Sequence, residues 1–301
     1  MSALYMPARG HVQIGAHEHS GLCALLDQLQ LALALLDEEL HVQWWNRAAE
    51  DLSGRSRDEV LGSYWGQDLL LTLEDVGIGC EPSRNFLRHR DGHLLRVRAQ
   101  MMPCEFGERS GAMVSISSDS RPMCILDHAR RDPKLDLIDP LTGLGNRRLA
   151  AIEFEAFLIR YQLHRREFGV ALFDVDLLHQ VVKRFGYDCS DRALQVVART
   201  LAGCLDEHDL LCRWGGDQFL ALVVGDHEEA QAKAELCRRA VEWASLDWGG
   251  EPVPLTISAG VEMGSPGDHS EDLVGRAAFR LRMSKRLGRN RVTSGAASQA
   301  E

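Results

Sequence analysis

Two apolar runs flank Gly215-Gly216-Asp217-Gln218 in the C-terminal third of this 301-residue chain. Leu210-Leu211-Cys212-Arg213 and Phe219-Leu220-Ala221-Leu222-Val223-Val224 each read as a strand, so the glycines make a tight hairpin with Asp217 at its tip. Adjacent glycines let a phosphate or another backbone come close, and a carboxylate beside them suits a hard cation such as magnesium. Taken alone, Gly-Gly-Asp marks only a turn. A second carboxylate, Asp174, follows the apolar run Gly169-Val170-Ala171-Leu172-Phe173 and stands immediately before a helical segment. By position it reads as a helix N-cap. Lys285 and Arg289 are four residues apart at a helix end. Both reach one anion if the helical turn persists; otherwise they are a solvated basic terminus.

These residues need a framework. Periodicity after residue 139 predicts a helix (146–165), a strand (168–173), two helices (176–185, 189–204), the hairpin (209–224), a helix (227–245), a strand (254–262), a helix (270–286) and a strand (291–294). This alternation fits an α/β sandwich, of α+β class, on a mainly antiparallel sheet. The first half has its own pattern. Strands at 31–36 and 41–45 flank the turn Asp37-Glu38-Glu39, a short helix starts in Asn46-Arg47-Ala48-Ala49, and strands follow at 85–90, 93–102 and 111–118. The expected domains are a flexible N-terminus (1–19), a sensor-like domain (20–120), a helical linker (121–138), a second domain (139–295) and a tail (296–301).

The order and spacing of Asp139-Pro140-Leu141-Thr142-Gly143-Leu144-Gly145-Asn146-Arg147-Arg148, Asp174-Val175-Asp176, Gly215-Gly216-Asp217-Gln218-Phe219 and Lys285-Arg286-Leu287-Gly288-Arg289-Asn290 resemble the GGDEF family of diguanylate cyclases over about residues 132–295. The first half resembles a PAS sensor domain through its strand-turn-strand start, Trp45-Asn46-Arg47-Ala48-Ala49 and Glu59-Val60-Leu61-Gly62. The resemblance implies a nucleotidyl-cyclase-like (ferredoxin or palm-like) fold. It also implies a homodimer that joins two GTP molecules into cyclic di-GMP and releases pyrophosphate.

Carried over by motif, Asp174, the Val175 carbonyl and Asp217 hold magnesium, while Lys285 and Arg289 hold the triphosphate. Gly215 and Gly216 let the phosphates approach, His179 lies beside the substrate, and Asp191 reads the guanine edge. Three departures stand out. Gln218 replaces the family glutamate, Val182 replaces the guanine-binding asparagine, and Asp206 occupies the arginine position of the inhibitory Arg-x-x-Asp motif, with Asp209 retained. A neutral amide cannot take up a proton, and loss of a general base costs about 10²–10⁴ in rate. Asp176 is close in sequence as a substitute base, but the family has an acid there beside its glutamate. The implied protein is a PAS-regulated, degenerate GGDEF module that binds Mg-GTP with weak or no cyclase activity. The alternatives are an active cyclase or an interaction scaffold that binds no nucleotide, each with room for a protein partner.

Composition narrows the classes further. A net charge of −10 gives no broad attraction to DNA. No stretch reaches the ~20 apolar residues of a membrane span, and the start lacks a signal-peptide core, so a cytoplasmic location is expected. Eight cysteines without a Cys-x-x-Cys pair predict reduced, mostly buried thiols. His11, His17 and His19 lack a cysteine or carboxylate at ligand spacing, and His41 and His89 read as surface histidines rather than haem ligands. No residue pattern assigns a ligand to the PAS domain.

Overall fold

The computed structural model describes residues 12–14, 26–73, 84–106, 109–118, 137–164, 167–265 and 267–295. It divides near Asp119 into two compact units. The expected linker helix falls almost wholly outside the described residues, as do His11, His17, His19 and the C-terminal tail.

In the N-terminal unit, β2 (Ala32–Asp37), β3 (Val42–Trp45), β4 (Leu70–Leu73), β5 (Arg84–Arg88), β6 (Leu94–Phe106) and β7 (Arg109–Ser118) form a sheet in the order β3-β2-β7-β6-β5-β4. Within the expected flexible N-terminus, β1 (Val12–Ile14) instead pairs parallel with Cys104–Phe106 of β6. That 13-residue strand far outruns the 5-residue β5, which leaves backbone groups at its end for a further partner. Strand β4 was not expected.

Buried Asn46 ties the entry of α1 (Arg47–Ser53) to the strands. Its Oδ1 accepts from Leu33 N and Ala49 N (both 2.9 Å), and its Nδ2 donates to the Leu26 and Leu31 carbonyls (3.1 and 2.8 Å). Both donor hydrogens are used, and the oxygen accepts twice, so full burial leaves nothing unsatisfied. A short helix α2 (Arg57–Val60) follows, and Trp45, Trp65, Leu36, Val60 and Leu87 pack the core.

The C-terminal unit is built on a five-stranded sheet in the order β14-β13-β8-β10-β9. Its strands are β8 (Phe168–Val175), β9 (Leu210–Gly215), β10 (Gln218–Val224), β13 (Ile257–Met263) and β14 (Val292–Ser294). All neighbours are antiparallel except β13 and β14. The helices are α3 (Arg147–His164), α4 (Leu178–Phe185), α5 (Tyr187–Cys204), α6 (His227–Trp243) and α7 (Ser270–Arg286). Central β8 is buried along its whole length, as strand residues covered on both faces must be. Phe168, Val170 and Leu172, with Leu220 and Leu222, meet Phe154, Leu273, Ala277 and Leu281 from α3 and α7. Residues at the alternate positions face the layer containing α6, where Gly169 lies against Ala230.

Gly260 sets the seat of α7. A Cβ there would come within 2.2 Å of the Ala277 carbonyl and 2.3 Å of Leu281 N, so only glycine lets the helix lie this close to β13.

Several boundaries shift from expectation for local reasons. Strand β8 runs on through Val175, and α4 starts at Leu178 after Leu177 takes a left-handed backbone (φ 57°). The strand expected from 254 begins at Ile257, beyond Pro254, which has no N–H to donate. A small hairpin, β11 (Leu246–Trp248) and β12 (Glu251–Val253), turns on Gly249-Gly250 and was not foreseen. Cys104, Cys189, Cys204, Cys212 and Cys237 are buried thiols outside any disulfide, as expected. Among the described residues no helix is long and apolar enough to cross a membrane.

Candidate functional site

The hairpin expected at 209–224 forms, with Gly215 and Gly216 at positive φ (152° and 56°) and Gln218 paired to Gly215 across it. A guanidinium holds the turn. Arg213 donates from Nε and Nη2 to the Gly216 carbonyl (3.1 and 2.8 Å), and its Nη1 reaches both oxygens of Asp139 (3.1 Å each). Asp139 is fixed in turn by the Thr142 N–H and hydroxyl (2.9 and 2.7 Å). Burial works to raise the Asp139 carboxyl, but the bonds from Thr142 and Arg213 outweigh it and hold the group below its ordinary range. This clamp was missed in the sequence, although an aspartate three residues before a threonine is a recognisable local turn signal.

Register brings the hairpin to the end of β8. Gln218 lies opposite Asp174, and Val175 N–H donates to the Asp217 carbonyl (3.1 Å). The Gln218 side chain donates Nε2–H to Asp174 Oδ2 (3.0 Å). Lys285 Nζ approaches the other oxygen, Oδ1, to 2.5 Å. The contact is an ion pair between the ammonium and the buried carboxylate. Burial raises the Asp174 carboxyl above its ordinary value, against Lys285 and Gln218 and with help from the Asp217 charge. Asp174 does not cap α4, since Leu177 occupies the N-cap position.

Asp176 has a different environment. It accepts from the Ser258 hydroxyl (2.7 Å), the Thr256 hydroxyl (3.0 Å) and the Asn290 backbone N–H (3.0 Å). Asn290 also accepts from Arg238 (2.7 Å) and donates to Glu242 (2.7 Å). With its lone pairs so engaged, Asp176 is a structural knot rather than a spare base. The knot secures the turn after α7, where Arg289 and Asn290 both adopt left-handed backbone (φ 64° and 44°). The helical turn therefore does not persist from Lys285 to Arg289, because α7 ends at Arg286. Arg289 is exposed on the turn beyond it.

The remaining expected residues lie on neighbouring helices. Exposed His179 and half-buried Val182 are on α4, and exposed Asp191 is in the second turn of α5, across Gly186 at positive φ (88°). At the inhibitory-motif positions, Asp206 and Asp209 both pair with Lys233 (2.9 and 2.7 Å), a buried contact that the sequence reading missed.

The acidic oxygens suit magnesium on an observation internal to the site: Asp174 is a buried carboxylate beside the Asp217 charge, and its Oδ1 already faces a cation, the Lys285 ammonium. A hard cation takes such an oxygen, and the carboxylate of Asp217 and the Val175 carbonyl add donors of the same class.

Comparison with known proteins places this geometry. The family model described as diguanylate cyclase, GGDEF domain, matches residues 136–291, and a PAS fold model matches residues 26–124. The chain is 31% identical over 157 residues to diguanylate cyclase DgcP of Pseudomonas aeruginosa, covering 52% of this chain and 23% of that protein. It is 30% identical over 182 residues to cyclic di-GMP phosphodiesterase NbdA of the same organism, covering 58% of this chain and 23% of that protein. The chain thus spans about a quarter of the length of these two relatives. Among solved structures, diguanylate cyclase SiaD of Pseudomonas aeruginosa, determined with its activator SiaC, superposes with a TM-score of 0.53 at 33% identity, covering 56% of this chain and 65% of that one. With a PAS fold ahead of it and the Asp174–Gln218 site at the end of its central strand, the chain belongs to the diguanylate cyclase GGDEF-domain family.

Proposed function

We propose that the C-terminal unit binds magnesium and GTP but makes cyclic di-GMP slowly or not at all, so that the chain works in cyclic di-GMP signalling mainly by nucleotide-dependent regulation. The observation that carries this reading is the Gln218 Nε2–H donated to Asp174 Oδ2. At the family's glutamate position this chain has a group that donates to a cation-ligand carboxylate and cannot accept the proton of an attacking hydroxyl.

Magnesium held by Asp174, Asp217 and the Val175 carbonyl would neutralise triphosphate charge. Lys285 and Arg289 would grip the phosphates, with Gly215 and Gly216 leaving room for them, and Asp191 would accept from the guanine edge. His179 borders the same helix pair. Val182 offers no polar atom to the base, and one unpaired polar edge costs about 1–3 kcal/mol, or about ten- to a hundredfold in affinity. Asp206 faces Lys233 and lacks the guanidinium that would hold a cyclic dinucleotide, so tight product binding there is not part of this reading. A homodimer would bring two such sites together. A protein activator, the class of partner that SiaD was solved with, would suit the PAS-bearing architecture.

A working cyclase is the second reading, favoured by the retained pair Asp174 and Asp217 with Lys285 directed at the same carboxylate. Product analysis after incubation with GTP and magnesium separates the two. No cyclic di-GMP from the natural protein, with GTP still bound and product gained in Gln218→Glu, is expected. Cyclic di-GMP from the natural protein, lost in Asp217→Ala, would overturn the first reading in favour of the second.

A further inference from the structure

We propose that Lys285 is the internal counter-ion of Asp174 in the nucleotide-free site, so that cation binding and triphosphate binding are linked through one side chain. The inference rests on the reading of this site as a magnesium and nucleotide site, and goes beyond it by assigning Lys285 two alternating partners.

The two ends of the ion pair differ in freedom. Asp174 is fixed at the end of a central strand, its side chain 3% exposed and its Oδ2 held by Gln218. Lys285 sits in the last turn of α7 with its side chain 33% exposed, on a four-carbon stem that can swing. If the pair opens, the lysine is the part that moves.

Charge then dictates the coupling. A divalent cation and the ammonium cannot share Asp174 Oδ1, so cation binding expels Lys285 and leaves it available to an anion. An anion that draws Lys285 away leaves a buried carboxylate without its counter-charge, which strengthens its demand for a cation. The two effects are one coupling free energy seen from either ligand, and must be equal. Gln218 sharpens this balance: its amide holds Oδ2 without adding a further negative charge beside Asp174.

The test is Mn²⁺ titration of the full chain without nucleotide, with free Mn²⁺ read by electron paramagnetic resonance. Lys285→Met should bind Mn²⁺ about tenfold more tightly than the natural protein, because the competing cation is gone. A lysine that only contacts phosphate predicts no change, and unchanged or weaker Mn²⁺ binding by a folded Lys285→Met protein overturns the proposal. If Lys285→Met does not fold, Asp174→Asn decides by calorimetry with GTP in excess EDTA. Releasing Lys285 should tighten metal-free GTP binding about tenfold, and unchanged or weaker binding again overturns the proposal. A natural protein that binds neither Mn²⁺ nor GTP under any condition would instead sink the reading of the site itself.

Discussion

Asp174 and Asp176 sit two residues apart at one strand end, and truncating each to alanine should have very unequal consequences for stability. Asp176→Ala removes the acceptor for the Asn290 N–H and for the hydroxyls of Ser258 and Thr256. Each buried donor left unpaired costs about 1–3 kcal/mol, and the hydroxyls can rotate to recover part of it. A loss of about 3 kcal/mol follows, dominated by the backbone N–H and by Ser258, which is fully buried. For a unit of this size each kcal/mol moves the midpoint by about 2–4 °C, so its transition should fall by about 6–12 °C in differential scanning calorimetry of the metal-free full chain. Asp174→Ala removes a carboxylate whose burial outweighs the help of its partners, and Lys285 can turn to water. Its transition should stay within about 1 kcal/mol of the natural protein. An Asp176→Ala loss below about 1 kcal/mol, or an equal loss in Asp174→Ala, would refute the division into a structural and a ligand-facing aspartate.

Gln218→Glu puts two carboxylates opposite each other and removes the amide donor, so the metal-free midpoint should drop by about 2–6 °C and recover in millimolar magnesium, read as melting with and without the ion. Arg213→Lys keeps the charge but not the fork that joins Asp139 to the Gly216 carbonyl; urea unfolding should show a loss of about 1–2 kcal/mol, and a neutral result would deny the clamp its role. For Lys233, burial favours the neutral amine but Asp209 and Asp206 win, so its folded pKa lies above the ordinary 10.5. The stability it contributes is complete below 10.5 and is lost as pH rises through the folded value. Urea unfolding of Lys233→Met against the natural protein should therefore show a gap that is constant from pH 7 to about 10 and narrows only above that range.

The hairpin around Gly215-Gly216 and the helix ending at Arg286 were legible because glycine pairs and apolar periodicity act over a few residues. The same signal in Trp248-Gly249-Gly250-Glu251 went unread, although it produces β11 and β12. What local pattern does not carry is pairing at long range. Asp176 meets Asn290 across 114 positions, and Arg213 meets Asp139 across 74. Each partner is an ordinary polar residue until the sheet brings it to the other. The i, i+4 spacing of Lys285 and Arg289 misled for a related reason: it presumes a helix, and the Asp176–Asn290 bond helps to hold a left-handed turn there instead. Position 218 was identified by motif, but that its amide would be spent on Asp174 depended on strand register.

Gly260 gives the seat of α7 a consequence for the chemistry at its end. The helix rests on the sheet through a bare hydrogen, and that standoff fixes how far the last turn can project toward β8. A methyl group at 260 would act as a shim under the helix, levering Lys285 away from Asp174 without touching either. The reach of an ammonium at one end of the helix is thus gauged, in part, by a residue with no side chain beneath its middle.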